Sequence, residues 1–143
     1  SSSPFSFTLT DITDENSPKL LETVTNEKNG IILFAPIHYE KAGTYRYEIK
    51  EVKGEGGYLY DTAVYTVSVT VTQDTENKKL VTGVPVIVKS NTENSPSEIE
   101  FYNRKSGGGS EYTSVTVKKV WKLNDGGEKT DSVRWRVFRY SKA

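Results

Sequence analysis

Apolar and polar residues alternate with a period of two along most of this chain, in short runs separated by turn chemistry. Successive side chains of an extended strand point to opposite faces, so this alternation predicts half-buried β-strands, and a series of them predicts a sandwich or barrel. Phe5, Phe7 and Leu9 share one face of a first strand. Ile32 and Phe34 share a face in a second run, which follows the turn dipeptide Asn29-Gly30 and is expected to end at Pro36. In Gly43-Thr44-Tyr45-Arg46-Tyr47-Glu48-Ile49-Lys50-Glu51 one face carries Tyr45, Tyr47, Ile49 and Glu51, so a carboxylate stands in line with aromatic and aliphatic groups. A long strand is expected over residues 58–72 with Tyr65, Val67, Val69 and Val71 on one face, then a polar hairpin over 74–78 and a strand through Val86 and Val88. Ile99, Phe101 and Asn103 close the block, and again a polar side chain ends an apolar face.

Ser106-Gly107-Gly108-Gly109-Ser110 follows, a flexible coil with no side chains to pack. It reads as an inserted linker or a hinge between domains. Beyond it Val115, Val117, Lys119 and Trp121 share a face, Asn124-Asp125-Gly126-Gly127 turns the chain, and Val133, Trp135 and Val137 form a further face. Arg134, Arg136, Phe138 and Tyr140 lie on the opposite side of that last run and read as a solvated edge face.

Composition narrows the class. Nine Tyr and many Thr and Val favour strands. At 143 residues one core is expected. Lys plus Arg and Asp plus Glu are both 19, a balance that would not hold a phosphate backbone or an anionic membrane, so neither nucleic acid nor membrane is expected as a partner. With no cysteine there are no disulfides and no thiolate chemistry. His38 is the single histidine, which leaves no histidine cluster for a metal and no Ser-His-Asp set. Gly54-Glu55-Gly56-Gly57 lacks the Lys-Ser/Thr ending of a phosphate cradle and reads as a turn. No cofactor is expected.

The unusual constellation is Glu51, Asn103 and Lys119, each at the inward parity of an apolar strand. An unpartnered buried charge costs several kcal/mol, so three coincidences call for a joint explanation. Desolvation strips the proton from a buried lysine and makes the amine a nucleophile, while the same effect drives a buried glutamate to its neutral acid. Attack of Lys119 on the carboxamide carbon of Asn103, with Glu51 polarising the carbonyl and relaying protons to the departing ammonia, would leave a Lys–Asn isopeptide cross-link. The reaction occurs once per molecule, so the chain is not expected to be an enzyme. The bland alternative leaves Lys119 exposed, Glu51 in water at a strand end and Asn103 capping a turn.

Phe5-Ser6-Phe7-Thr8-Leu9, the run from Gly43 to Glu51, Tyr60-Asp61-Thr62, Tyr65-Thr66-Val67-Ser68-Val69 and Ile99-Glu100-Phe101-Tyr102-Asn103 together resemble the isopeptide-forming pilin domains of Gram-positive surface pili, of the streptococcal backbone type. The resemblance covers residues 5–105. It implies an all-β, immunoglobulin-like sandwich in which Asn103 is the reactive asparagine and Glu51 the catalytic acid. The family's reactive lysine lies in a first strand of the form Val-x-Val-x-Lys, ahead of the Phe-x-Phe strand, and here only residues 1–4 precede Phe5. Val115-Thr116-Val117-Lys118-Lys119-Val120-Trp121 is similar to that strand and to the opening of a collagen-adhesin B-type repeat, which makes Lys119 the reactive position. The nine residues 104–112 can reach about 30 Å, and doubling back along a strand of six residues needs roughly 20 Å, so a rearranged strand order is feasible.

The expected organisation is a pilin-type sandwich over residues 1–105, a linker over 106–110, and a segment over 111–143 that completes the same sandwich or, alternatively, belongs to a second domain. The resemblance implies a structural domain of a surface pilus or adhesin stalk, extracellular at the cell wall, whose partners are other pilus or surface-protein subunits. Two alternatives stand beside it. One is a split or permuted module that accepts a separate β-strand peptide and bonds to it. The other is an adhesin tip that binds host surface molecules, supported by surface Tyr and Trp alone.

Overall fold

A computed structural model describes residues 5–27, 30–54, 56–105, 111–123 and 139–141, the last two stretches as backbone. Its strands are β1 (Ser6–Asp11), β2 (Lys19–Thr25), β3 (Ile31–Tyr39), β4 (Gly43–Val52), β5 (Tyr58–Leu59), β6 (Val64–Asp74), β7 (Lys79–Thr82), β8 (Val86–Lys89), β9 (Glu100–Lys105), β10 (Glu111–Leu123) and β11 (Arg139–Ser141). One sheet runs β2-β1-β4-β6-β7 with β8 also on β6, and the other runs β11-β10-β9-β5 with β3 on β10. The architecture is an all-β, immunoglobulin-like sandwich. No helix among the described residues is long and apolar enough to cross a membrane.

The two sheets are joined by the faces that the alternation marks. Phe7 and Leu9 of β1, Tyr47 and Ile49 of β4, and Val67 and Val69 of β6 are buried against Ile32 and Phe34 of β3 and Phe101 of β9. Phe101 is the hub, with its ring 5.1 Å from that of Phe7 and 5.2 Å from that of Tyr65. Tyr39 and Tyr47 bridge the sheets at another point through a hydroxyl–hydroxyl hydrogen bond of 2.7 Å. Each such large side chain contributes roughly 1.5–3 kcal/mol by leaving water.

Three expectations change. Pro36 does not end the second run: β3 continues through it to Tyr39. The ladder to β10 shifts register between Lys119 and Trp121, opposite residues 34–37, and the buried positions pass from Ile32 and Phe34 to Tyr39. A bulge absorbs the proline and resets the parity. The strand expected over residues 58–72 is two strands, because β5 pairs with β9 in one sheet and β6 with β4 in the other. Finally, β2 has no counterpart in the sequence reading, for its side chains are largely exposed and carry no burial period.

The expected polar hairpin forms between β6 and β7, where Asp74 accepts the N–H of Glu76 at 3.0 Å and Lys78 takes a left-handed φ of 53°. Gly56 and Gly57, with φ of 125° and 87°, turn the chain before β5 as expected. β8 forms through Val86 and Val88, yet its inward residue is Ile87. The turn at 124–127, the run 133–137 and the stripe of Arg134, Arg136 and Phe138 lie outside the described residues, and Tyr140 is described only as backbone in β11.

Candidate functional site

β4 and β9 belong to different sheets, and the polar residues that end their apolar faces meet across the interior. The β1–β4 ladder sets Phe7 beside Glu51, while Phe101, two residues before Asn103 on the same face of β9, packs on Phe7. Asn103 is 0% exposed and Glu51 9% exposed. Asn103 Nδ2 donates to Glu51 Oε2 at 2.7 Å. Asn103 Oδ1 accepts the main-chain N–H of Asp61 at 2.9 Å, so a donor on one side and a carboxyl group on the other fix which end of the carboxamide faces which.

Burial dominates the electrostatics of Glu51. Desolvation pushes its carboxyl up to about 8, and the Asp61 charge adds to the rise, while the hydrogen bond from Asn103 and the nearby Asp61 main-chain dipole oppose it. Glu51 Oε1 is buried with no hydrogen-bond partner among the described residues. One oxygen of the carboxyl thus meets the amide nitrogen of Asn103, and the other carries no hydrogen bond among the described residues.

Lys119 is the sequence-predicted third member, and its backbone lies in β10. The β9–β10 ladder sets Thr113 opposite Asn103, whereas Lys119 stands beside Phe34 of β3. Six positions along an extended strand span about 20 Å, well beyond the length of a lysine side chain. The fold therefore brings Glu51 and Asn103 together and sets the backbone of Lys119 at a distance from them in this register. His38 is exposed on β3, and among the described residues no three His, Cys, Asp or Glu gather as a metal site requires.

Asp61 is the residue of the site that the alternation does not reveal. It lies between β5 and β6, where the chain crosses from one sheet to the other. Its Oδ1 accepts the N–H of Ala63 at 2.9 Å and its Oδ2 that of Tyr102 at 2.8 Å. The first is an Asx turn, a signal that Asp61-Thr62-Ala63 carries in its sequence. The second ties the crossover to β9 one residue before Asn103.

These features define a class: a structural immunoglobulin-like β-sandwich with a carboxyl–carboxamide pair built into its core. A family model described as FctA, Spy0128-like isopeptide containing domain, matches residues 1–106, and the chain belongs to that family. No curated protein matched the chain. The chain is accordingly a pilin-type isopeptide domain, a structural module and not an enzyme.

Proposed function

We propose that this domain is a structural unit of a Gram-positive surface pilus or adhesin stalk, extracellular and in contact with other subunits, and that an autocatalytic Lys–Asn isopeptide bond reinforces it. The observation that carries the reading is the buried 2.7 Å contact between Glu51 and the Asn103 amide. A core has no packing reason to hold a carboxyl group against a carboxamide, and a single-turnover acyl transfer needs both.

The chemistry balances without an external reagent. Proton transfer from a lysine ammonium to the Glu51 carboxylate gives a neutral amine and a neutral acid, the pair that a desolvated site favours. The Nζ lone pair attacks Cγ of Asn103, and negative charge develops on Oδ1. Glu51 donates its proton to Nδ2 and takes one from Nζ. The Cγ–Nδ2 bond breaks, ammonia leaves, and an Nζ–Cγ amide remains.

Lys119 is the proposed nucleophile. To reach Asn103 its strand must dock on β9 in a register other than that of the hairpin, and the linker is long enough for a parallel approach. Intact mass tests the bond: the chain should be lighter than its sequence by one ammonia, with Lys119→Ala and Glu51→Gln at full mass. A parent chain at full mass would sink the reading.

The hairpin register favours a second reading. Because Thr113 and not a lysine stands opposite Asn103, the site can also serve as acceptor for a lysine-bearing strand from outside the chain. Incubation with a peptide of residues 114–123 separates the two, since a bond complete in cis leaves no Asn103 carboxamide for the peptide.

A further inference from the structure

We propose that Asp61 supplies the second half of the reaction site: its main-chain N–H is the donor that stabilises the oxyanion on Asn103 Oδ1, and its side chain is the clamp that aims that donor. The assignment rests on the isopeptide reading and divides the labour differently from the sequence analysis, which gave both the polarising and the proton-relay roles to Glu51.

The geometry separates the two roles. Glu51 Oε2 stands on Nδ2, the atom that leaves, so this carboxyl oxygen serves the departing ammonia. The oxygen on which charge develops is Oδ1, and the Asp61 N–H lies 2.9 Å from it, within the range at which an oxyanion donor acts. Asn103 is 0% exposed, so water does not compete for that oxygen. A main-chain donor in such a place works only if the backbone is held before the reaction begins.

The Asp61 carboxylate does the holding. One oxygen closes the turn onto the Ala63 N–H, and the other takes the Tyr102 N–H from β9 itself. The donor and the carboxamide it serves are thereby fixed to the same stretch of chain. Asp61 lies where the chain leaves one sheet for the other, between strands that ladder to β9 and to β4, so the clamp also sets the two carriers of the site, Asn103 and Glu51, against each other. As a side chain it touches no reacting atom and is a positioning residue, whereas its N–H touches the reacting carbonyl.

Two measurements test the assignment. In labelled Glu51→Gln protein, which keeps Asn103 unreacted, a through-hydrogen-bond coupling between the Asp61 amide nitrogen and Asn103 Cγ is expected, and its absence overturns the donor role. In freshly refolded chains, well below their melting temperatures, Asp61→Ala should slow the loss of ammonia by about tenfold to a hundredfold, the scale of a misplaced reacting group. Asp61→Asn retains the turn to Ala63 and should fall between Asp61→Ala and the parent, a graded rescue that general loosening of the fold would not produce. A parent that cross-links at a rate both variants match overturns this assignment alone. A parent that never loses ammonia removes the bond reading and this assignment with it.

Discussion

Glu51 and Asn103 are 52 residues apart in the chain and 2.7 Å apart in the fold, on strands of opposite sheets. Their contact couples two properties that follow separately from the sequence, the inward parity of a carboxylate on β4 and of a carboxamide on β9. Because the carboxyl is buried beside Phe7, its acid form is favoured in the folded state, and in the proposed reaction that proton goes to the leaving nitrogen.

That proton has a consequence for stability in chains that have not cross-linked. The folded carboxyl titrates near 8 and an unperturbed one near 4.5. The folded state therefore binds the proton more tightly, so its stabilising effect is complete below the unfolded value and is lost as pH rises through the folded one. In a chain with Lys119→Ala, stability should fall between about pH 4.5 and pH 8, by an amount on the order of a few kcal/mol. Adding Glu51→Gln should flatten that slope. Urea midpoints across this range measure it, and parallel slopes for the two chains would show that Glu51 is solvated after all.

The tyrosines give an independent test of the core. Burial pushes Tyr47 and Tyr65 up to about 12 and Tyr39 higher still, with the Tyr39–Tyr47 hydroxyl contact adding to the rise at Tyr39. Folded pKa values above the unfolded one mean stability that is present below pH 10 and lost above it. Ultraviolet titration of the nine tyrosines should therefore show a group that ionises late, together with unfolding. Reversible ionisation of all of them near pH 10 in the folded protein would contradict this packing.

Phe101 joins the two sheets through Phe7 and Tyr65 and also sits next to the site. Phe101→Ala should cost about 3–5 kcal/mol, seen as a lowered denaturant midpoint with little change in slope. Phe101→Leu keeps much of the volume and should cost less. Equal midpoints for parent and Phe101→Ala would remove this residue from the core.

How much of this was legible in the sequence depends on what each residue does. Tyr45, Tyr47, Ile49 and Glu51 announce their face by parity, and so do Ile99, Phe101 and Asn103, because one-sided burial writes a period of two. β2 writes none, since its side chains are mostly exposed. Pro36 looked like a terminator because proline cannot donate to a ladder, but a bulge at the same place leaves no ladder bond to lose. Asp61 stands in the sequence as an alternative acid to Glu51 and within the motif Tyr60-Asp61-Thr62, but its contact with Asn103 is not legible there because it uses the main chain, which every residue type shares. The pairing of β10 differs from the expected doubling back along the strand, since β10 lies antiparallel to β9 with Thr113 opposite Asn103: a glycine-rich connection permits both a hairpin and a parallel return.

That last ambiguity is the one a designed substitution can resolve. In the hairpin register Thr113 stands directly opposite Asn103, and Lys119 lies beside β3. A lysine placed at position 113 needs no change of register to meet the carboxamide, whereas Lys119 needs its strand to be redocked. The double variant Thr113→Lys with Lys119→Ala should therefore lose ammonia faster than the parent, and tandem mass spectrometry should place the new bond between residues 113 and 103. The two bonds would close rings of about 10 and about 16 residues, and by analogy with a disulfide both constraints are worth roughly 3 kcal/mol, so melting temperature will not separate them and the site of the bond must be mapped. If the parent cross-links through Lys119 while the double variant stays at full mass, the reactive arrangement is the parallel one and the hairpin is not the form in which the bond is made.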